Sequence, residues 1–205
     1  MEKLLNGVVK FQNKYFVEHK DIFKELSNKQ KPHTLFIGCS DSRVIPNIIT
    51  ETLPGELFVM RNIGNMVPPY YENNAAYKCV AAVIEYSVKS LNVENIVICG
   101  HSNCGGCKAL LKEEHLDELP LVKEWLKLGE NIKKRVMAKN ISDEEKEFQI
   151  EQLNIVQQIE NILTYPFVKE KYDKGELNIY GWYYIIETGE VFNYNFEKNE
   201  FELLE

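Results

Sequence analysis

The sequence predicts an α/β fold: a mostly parallel four-stranded sheet plus an antiparallel edge strand, flanked by helices, with an N-terminal helical arm. Three observations carry that expectation. Two short apolar runs, Thr34-Leu35-Phe36-Ile37 and Ile96-Val97-Ile98-Cys99, each end in a glycine and pass at once into a polar loop. Continuous apolar runs of this length suit strands buried on both faces, as parallel sheets require. Between them lies a second strand pattern and then a helical one, and strand, helix, strand is a right-handed crossover by default. Finally, Leu177 to Ile186 is rich in Tyr and Trp, and Thr188-Gly189 turns it into Val191 to Phe196, the pattern of an antiparallel edge strand.

The arm comes first. Over residues 4–27, Leu5, Val8, Val9, Phe16, Ile22, Phe23 and Leu26 alternate with polar residues at helical spacing, with an irregularity around Phe11 to Tyr15. This helix precedes the first strand instead of joining two, so it is free to cover this domain or a neighbouring subunit. Lys31-Pro32 ends it, and the first strand runs from about His33 to Ile37. Val44 to Ile49 is ambiguous, Pro54-Gly55 marks a turn, and Glu56 to Met60 forms the second strand, which delivers Arg61-Asn62-Ile63-Gly64-Asn65. After Pro68-Pro69, Asn73 or Asn74 caps a helix whose apolar face is Ala76, Cys79, Val80, Val83 and Val88. Leu119 to Met137 is helical and charged. Ser142 to Glu145 has the form of a capping box, and behind it Phe148, Leu153, Val156, Ile159, Ile162 and Leu163 make a stripe that Pro166 ends. One domain accounts for residues 1–205, with an arm over 1–30 and an α/β core over 31–205.

Composition excludes several functions. With 24 basic against 31 acidic residues, net charge −7, and no cluster of Lys and Arg, nucleic acid is not the expected partner. No apolar run approaches the roughly 18 residues of a spanning helix, and the amino terminus lacks a signal-peptide core, so a cytoplasmic protein without a membrane partner is expected. Five cysteines without a regular framework suit a reducing compartment, where thiols bind metal or sit in the core.

The chemistry concentrates where the strands end. His101 and Cys104 stand three apart, and Cys39 opens Cys39-Ser40-Asp41-Ser42-Arg43 after the other buried strand. If both strands share a parallel sheet, both loops leave its carboxyl edge, where Cys39, His101 and Cys104 can converge on one zinc ion. Two thiolates and an imidazole leave a fourth position open. Arg43 can hold Asp41 in two parallel hydrogen bonds. Asp41 then has two available tasks: accepting a hydrogen bond from zinc-bound hydroxide, or swinging inward to be the fourth metal ligand. Gly105, at a helix start, offers a free N–H to an anion. Cys79, Cys99 and Cys107 default to buried thiols, although Cys104 and Cys107 have the spacing of a redox pair. His19, His33 and His115 have no partner motif. A non-catalytic zinc domain with Asp41 as fourth ligand is the competing class.

Cys39-Ser40-Asp41-Ser42-Arg43, Arg61-Asn62-Ile63-Gly64-Asn65 and Gly100-His101-Ser102-Asn103-Cys104-Gly105-Gly106 together resemble the β-class carbonic anhydrases, in order and spacing, from about Thr34 to Leu111. The hairpin from Tyr180 to Phe196 is similar to the last strands of that family. The resemblance implies zinc on Cys39, His101 and Cys104, an Asp41–Arg43 dyad, and reversible hydration of carbon dioxide to bicarbonate and a proton by zinc-bound hydroxide. It also implies a homodimer or homotetramer in which the arm reaches the partner subunit. In some members the counterpart of Asp41 binds zinc in an inactive form with bicarbonate nearby. The best known of these has Trp three positions before the first ligand, where this chain has Phe36. Members that hydrolyse carbon disulfide or carbonyl sulfide share the ligand set.

Overall fold

A computed structural model describes residues 1–71, 77–114 and 116–205. The expected cap at Asn73 or Asn74 and the residue His115 lie outside the described residues. The arm contains α1 (Glu2–Lys10), α2 (Phe16–Glu18) and α3 (Lys20–Leu26), and a π-helical turn over Phe11–Tyr15 accounts for the break in its periodicity. There follow β1 (Thr34–Cys39), α4 (Pro46–Ile49), β2 (Leu57–Asn62), α5 (Lys78–Glu85), β3 (Asn95–His101) and α6 (Gly105–Lys112). The second half holds α7 (Pro120–Leu126), α8 (Glu130–Met137), α9 (Asp143–Ile162), α10 (Pro166–Asp173), β4 (Asn178–Tyr184), β5 (Val191–Asn195) and β6 (Glu200–Leu203).

The sheet has six strands in the order β2-β1-β3-β4-β5-β6. The first four in that order are parallel, as expected, and β5 pairs antiparallel with β4. Beyond the last strand expected, which ends at Phe196, β6 pairs antiparallel with β5 as a second edge strand. Its four residues, Glu-Phe-Glu-Leu, are too short and too charged to announce a strand alone. β1 is buried throughout and β3 nearly so, which explains their unbroken apolar runs. From β1 the chain moves to β2 on one side and then returns to β3 on the other. The carboxyl ends of β1 and β3 therefore flank a topological switch point, where an open α/β sheet leaves a crevice.

The two ends of the ladder reach further than the apolar runs suggest. Cys39 pairs with Asn62 and His101 with Tyr184, so both are the last residues of strands and not members of free loops. Their side chains inherit the rigidity of the sheet. The segment Leu119 to Met137 is two helices joined by a 3-10 turn, Lys127–Gly129, and a Cβ on Gly129 would collide with Leu110 of α6.

The capping box at Ser142 and Glu145 forms with both of its hydrogen bonds. Behind it α9 buries the second half of its apolar stripe, at Ile159 and Ile162, but not the first, and it shares its inner face with polar residues. Phe148 is 49% exposed, whereas Glu151, Asn154, Gln158 and Asn161 are buried. The polar residues go inside because they have partners there. Asn154 Nδ2 donates to Gly64 O at 2.8 Å, Gln158 Oε1 accepts from Val67 N at 2.8 Å, and Asn161 Nδ2 donates to Val67 O at 2.7 Å. An amide ladder thus fastens α9 to the loop that follows β2, a pattern that hydrophobic periodicity does not detect. The helix also lies close on the sheet: a Cβ on Gly100 or Gly181 would sit 2.7 Å from Ile155 or Ile159. Glycine is required at both positions for that approach.

On this face Leu35, Ile37, Ile96, Ile98 and Ile179 pack against Val80, Ile84, Ile155, Ile159 and Val168 from α5, α9 and α10. On the opposite face Phe36, Val97 and Cys99 cluster with Leu57, Tyr180, Trp182 and Tyr184, all of them strand residues.

Candidate metal centre

At the switch point, one donor atom from each of Cys39, His101 and Cys104 lies within 4.8 Å of the other two, and all three residues are buried. The strands fix two of them. Cys104 is set by the turn after β3, in which Asn103 takes a left-handed φ of 55°, before α6 begins at Gly105. The two sulfurs are 3.9 Å apart. His101 Nδ1 lies 3.0 Å from Ser102 O, so it carries the proton and donates. That fixes the tautomer and leaves Nε2 a bare lone pair, buried and, among the described residues, without a hydrogen-bond partner.

A divalent cation fits this donor set. An unpartnered buried imidazole nitrogen is costly unless something occupies its lone pair. The thiols make the same demand. The hydrogen bond the Cys39 thiol makes to Cys104, together with burial, pushes it up to about 12, and the bond the Cys104 thiol makes to Cys107, together with burial, raises Cys104 as well. Two adjacent thiolates would repel in this apolar setting, and a doubly charged cation reverses that balance.

Around the donors sits a second set of bonds. Arg43 Nε and Nη2 donate to Asp41 Oδ1 and Oδ2 at 2.9 and 2.7 Å, and Arg43 N adds a bond to Oδ1 at 3.0 Å. These bonds hold the Asp41 carboxyl well below the usual carboxylate range. Arg43 Nη2 also donates to Asn103 O at 3.0 Å, so one guanidinium ties the Cys39 loop to the Cys104 loop. Asp41 Oδ2 stands 3.9 Å from His101 Nε2, at the edge of the donor set. The expected Asp41–Arg43 pair is therefore present, with two parallel hydrogen bonds. Arg61 is equally committed: its Nε donates to Cys39 O at 2.9 Å and its Nη2 to Asp41 O at 2.6 Å. Gly105 is the first residue of α6, so its N–H belongs to the first-turn donors that have no acceptor inside the helix. The next residue, Gly106, lets α6 pack close on the loop after β2, since a Cβ there would lie 3.1 Å from Gly64 N.

Sequence reasoning misses Glu151, whose carboxylate accepts from Cys104 N at 2.9 Å and from Tyr183 Oη at 2.7 Å. Only its place on the inner face of α9, read together with the polar ladder at Asn154 and Gln158, could have marked it. Cys99 is buried with its thiol pushed up to about 12 by burial, Cys107 is buried and Cys79 is exposed.

A family model described as "Carbonic anhydrase" matches residues 34–191. The chain is 43% identical to a carbonic anhydrase of Helicobacter pylori over 213 aligned positions, covering 100% of this chain and 95% of that one. Among solved structures it is similar to the β-carbonic anhydrase CcaA, with a TM-score of 0.94 and 40% identity over 100% of this chain and 92% of that one. It is also similar to one of two tetrameric β-carbonic anhydrases from Sordaria macrospora, with a TM-score of 0.80 and 29% identity over 94% of this chain and 95% of that one.

Proposed function

Since the chain belongs to the β-class carbonic anhydrases, enzymes that hydrate carbon dioxide, we propose that it does so with zinc held by Cys39, His101 and Cys104. The observation that supports this most directly is the buried, unpartnered His101 Nε2 between two thiols. Zinc favours this mixture of imidazole and thiolate, and three protein ligands leave a tetrahedral ion one position for solvent. Bound there, zinc supplies the Lewis acidity that makes a coordinated water a nucleophile near neutral pH.

The chain's own groups do the rest. Asp41, with Arg43 holding both oxygens, keeps Oδ2 3.9 Å from His101 Nε2, and there it would orient the attacking oxygen by accepting its proton in a hydrogen bond. Arg43 fixes that carboxylate and the turn at Asn103 together. Arg61 holds the carbonyls of Cys39 and Asp41, so the loop cannot rotate its ligand away. The N–H of Gly105 is assigned to a substrate or bicarbonate oxygen. Ligand thiols that must stay reduced suit a cytoplasmic setting.

Stopped-flow hydration of carbon dioxide by protein of measured zinc content tests the proposal. Two thiolates cancel the charge of the ion, so its water is less acidic than on a three-histidine site, and activity is expected to climb from about pH 7 to about pH 9. A flat profile over that range removes the electrostatic argument, and absence of hydration by zinc-loaded protein removes the proposal.

We also propose a homodimer or homotetramer in which the arm seats on a partner subunit. α1 buries none of its residues in this chain, and Leu4 is 69% and Leu5 59% exposed. Such an apolar stripe calls for a cover. Deleting residues 1–18 is expected to lower the mass measured by light scattering by at least half. An unchanged mass places the contacts elsewhere.

A further inference from the structure

Glu151 is the only buried carboxylate among the described residues, 6% exposed, and it takes part in no salt bridge there. Burial raises its pKa. A buried acid without a cation is expensive to keep, so its hydrogen bonds indicate what it secures. One oxygen accepts from the backbone N–H of Cys104, the other from the hydroxyl of Tyr183.

Cys104 needs such support. It is the residue preceding the first turn of α6, with φ −73° and ψ 116°, and its thiol makes no capping bond. Its predecessor Asn103 is left-handed. Helix geometry therefore does not fix where the sulfur points, and its side-chain partners are the other thiols, Cys39 and Cys107. Tyr183, by contrast, is well anchored. It lies on β4 opposite Gly100, the neighbour of His101, it is 2% exposed, and Phe148 and Phe201 meet its ring edge-on. The chain of contacts from β4 through Tyr183 and Glu151 to Cys104 references a ligand on a turn to the strand beside a ligand on the sheet.

We propose that Glu151, backed by Tyr183, is a positioning residue of the metal centre that sets the direction of the Cys104 thiolate. This rests on the reading of Cys39, His101 and Cys104 as zinc ligands. Glu151 acts on the metal through the Cys104 backbone and touches neither substrate nor ion.

The test measures zinc affinity by competition with a chromophoric chelator, and the visible spectrum of the cobalt(II)-substituted protein, for the native chain and for Glu151→Ala, Glu151→Gln and Tyr183→Phe. Glu151→Ala is expected to weaken zinc binding by about 10- to 100-fold, the usual effect of losing an outer-shell partner, and to shift the cobalt bands. Tyr183→Phe moves both readouts in the same direction by less. Glu151→Gln restores affinity to within about threefold, because its amide oxygen still accepts from Cys104 while its NH2 faces a Tyr183 oxygen turned to accept. Native affinity and native cobalt bands in Glu151→Ala, with only its melting temperature lowered, overturn the inference. Glu151→Gln as weak as Glu151→Ala also overturns it, since the charge and not the hydrogen bond would then matter. If Glu151→Ala fails to fold, native readouts in Tyr183→Phe overturn it. Failure of the native chain to bind zinc at all is a separate result, visible before any variant is made, and removes the metal reading as well.

Discussion

Changing Cys39 to Ser is expected to strip the protein of zinc and, with the zinc, of hydratase activity. Serine is nearly isosteric, and the bond from Arg61 goes to the Cys39 carbonyl, so the end of β1 keeps its place in the ladder. What changes is the donor, because a hydroxyl does not ionise to bind a borderline-soft cation as a thiol does. Zinc sites of four ligands bind with about 10–16 kcal/mol, so one ligand is worth about 3 kcal/mol, or roughly a hundredfold in affinity. Metal analysis after dialysis against a chelator, together with the rise in melting temperature on adding zinc, measures the loss. At the same zinc concentration the variant should gain less stability than the native chain, by up to about 3 kcal/mol, because stabilisation follows the affinity of the ligand for the folded state. Full metal retention in Cys39→Ser would refute its role as a ligand.

The positions of Cys39, His101 and Cys104 were legible in the sequence because each follows a physical signal: an unbroken apolar run that only a doubly buried strand explains, then glycine, then a metal-binding side chain. Strand type and the carboxyl-edge location of the site follow from the same pattern, whereas the order that puts β1 between β2 and β3 comes from the fold. The π-helical turn in the arm also left a trace, as an irregular stretch at Phe11 to Tyr15. Three features left none. β6 is a strand because β5 offers it an open edge, and its own residues do not demand the conformation. The inner face of α9 holds Ile159 and Ile162 of the apolar stripe but also Asn154, Gln158 and Asn161, which find backbone partners across 90 or more residues of chain. Glu151 belongs to that face, and a lone acid on a charged helix looks like solvent-facing charge until the fold brings Cys104 and Tyr183 to it. Local patterns report what a segment prefers, whereas these partners are supplied by distant segments.

Asp41→Asn is the substitution expected to separate binding from turnover. The amide keeps the size of the side chain, and its oxygen can still face Arg43 N and Nε, both of which now donate to Oδ1. Its nitrogen then replaces Oδ2, the atom 3.9 Å from His101 Nε2, so the group next to the donor set becomes a donor where it was an acceptor. It also opposes a donor on Arg43 Nη2. The oxygen that attacks carbon dioxide thereby loses the acceptor that orients it, and kcat should fall by about 100-fold, within the range that a positioned acid or base contributes. Folding stability should change by less than about 1 kcal/mol, since the Asp41–Arg43 pair is partly exposed and screened. Zinc content should stay native, because the three donors within 4.8 Å of one another do not include Asp41. Each outcome assigns the carboxylate differently: native zinc with depressed kcat makes it the orienting acceptor, loss of zinc makes it a ligand, and native activity removes it from the mechanism.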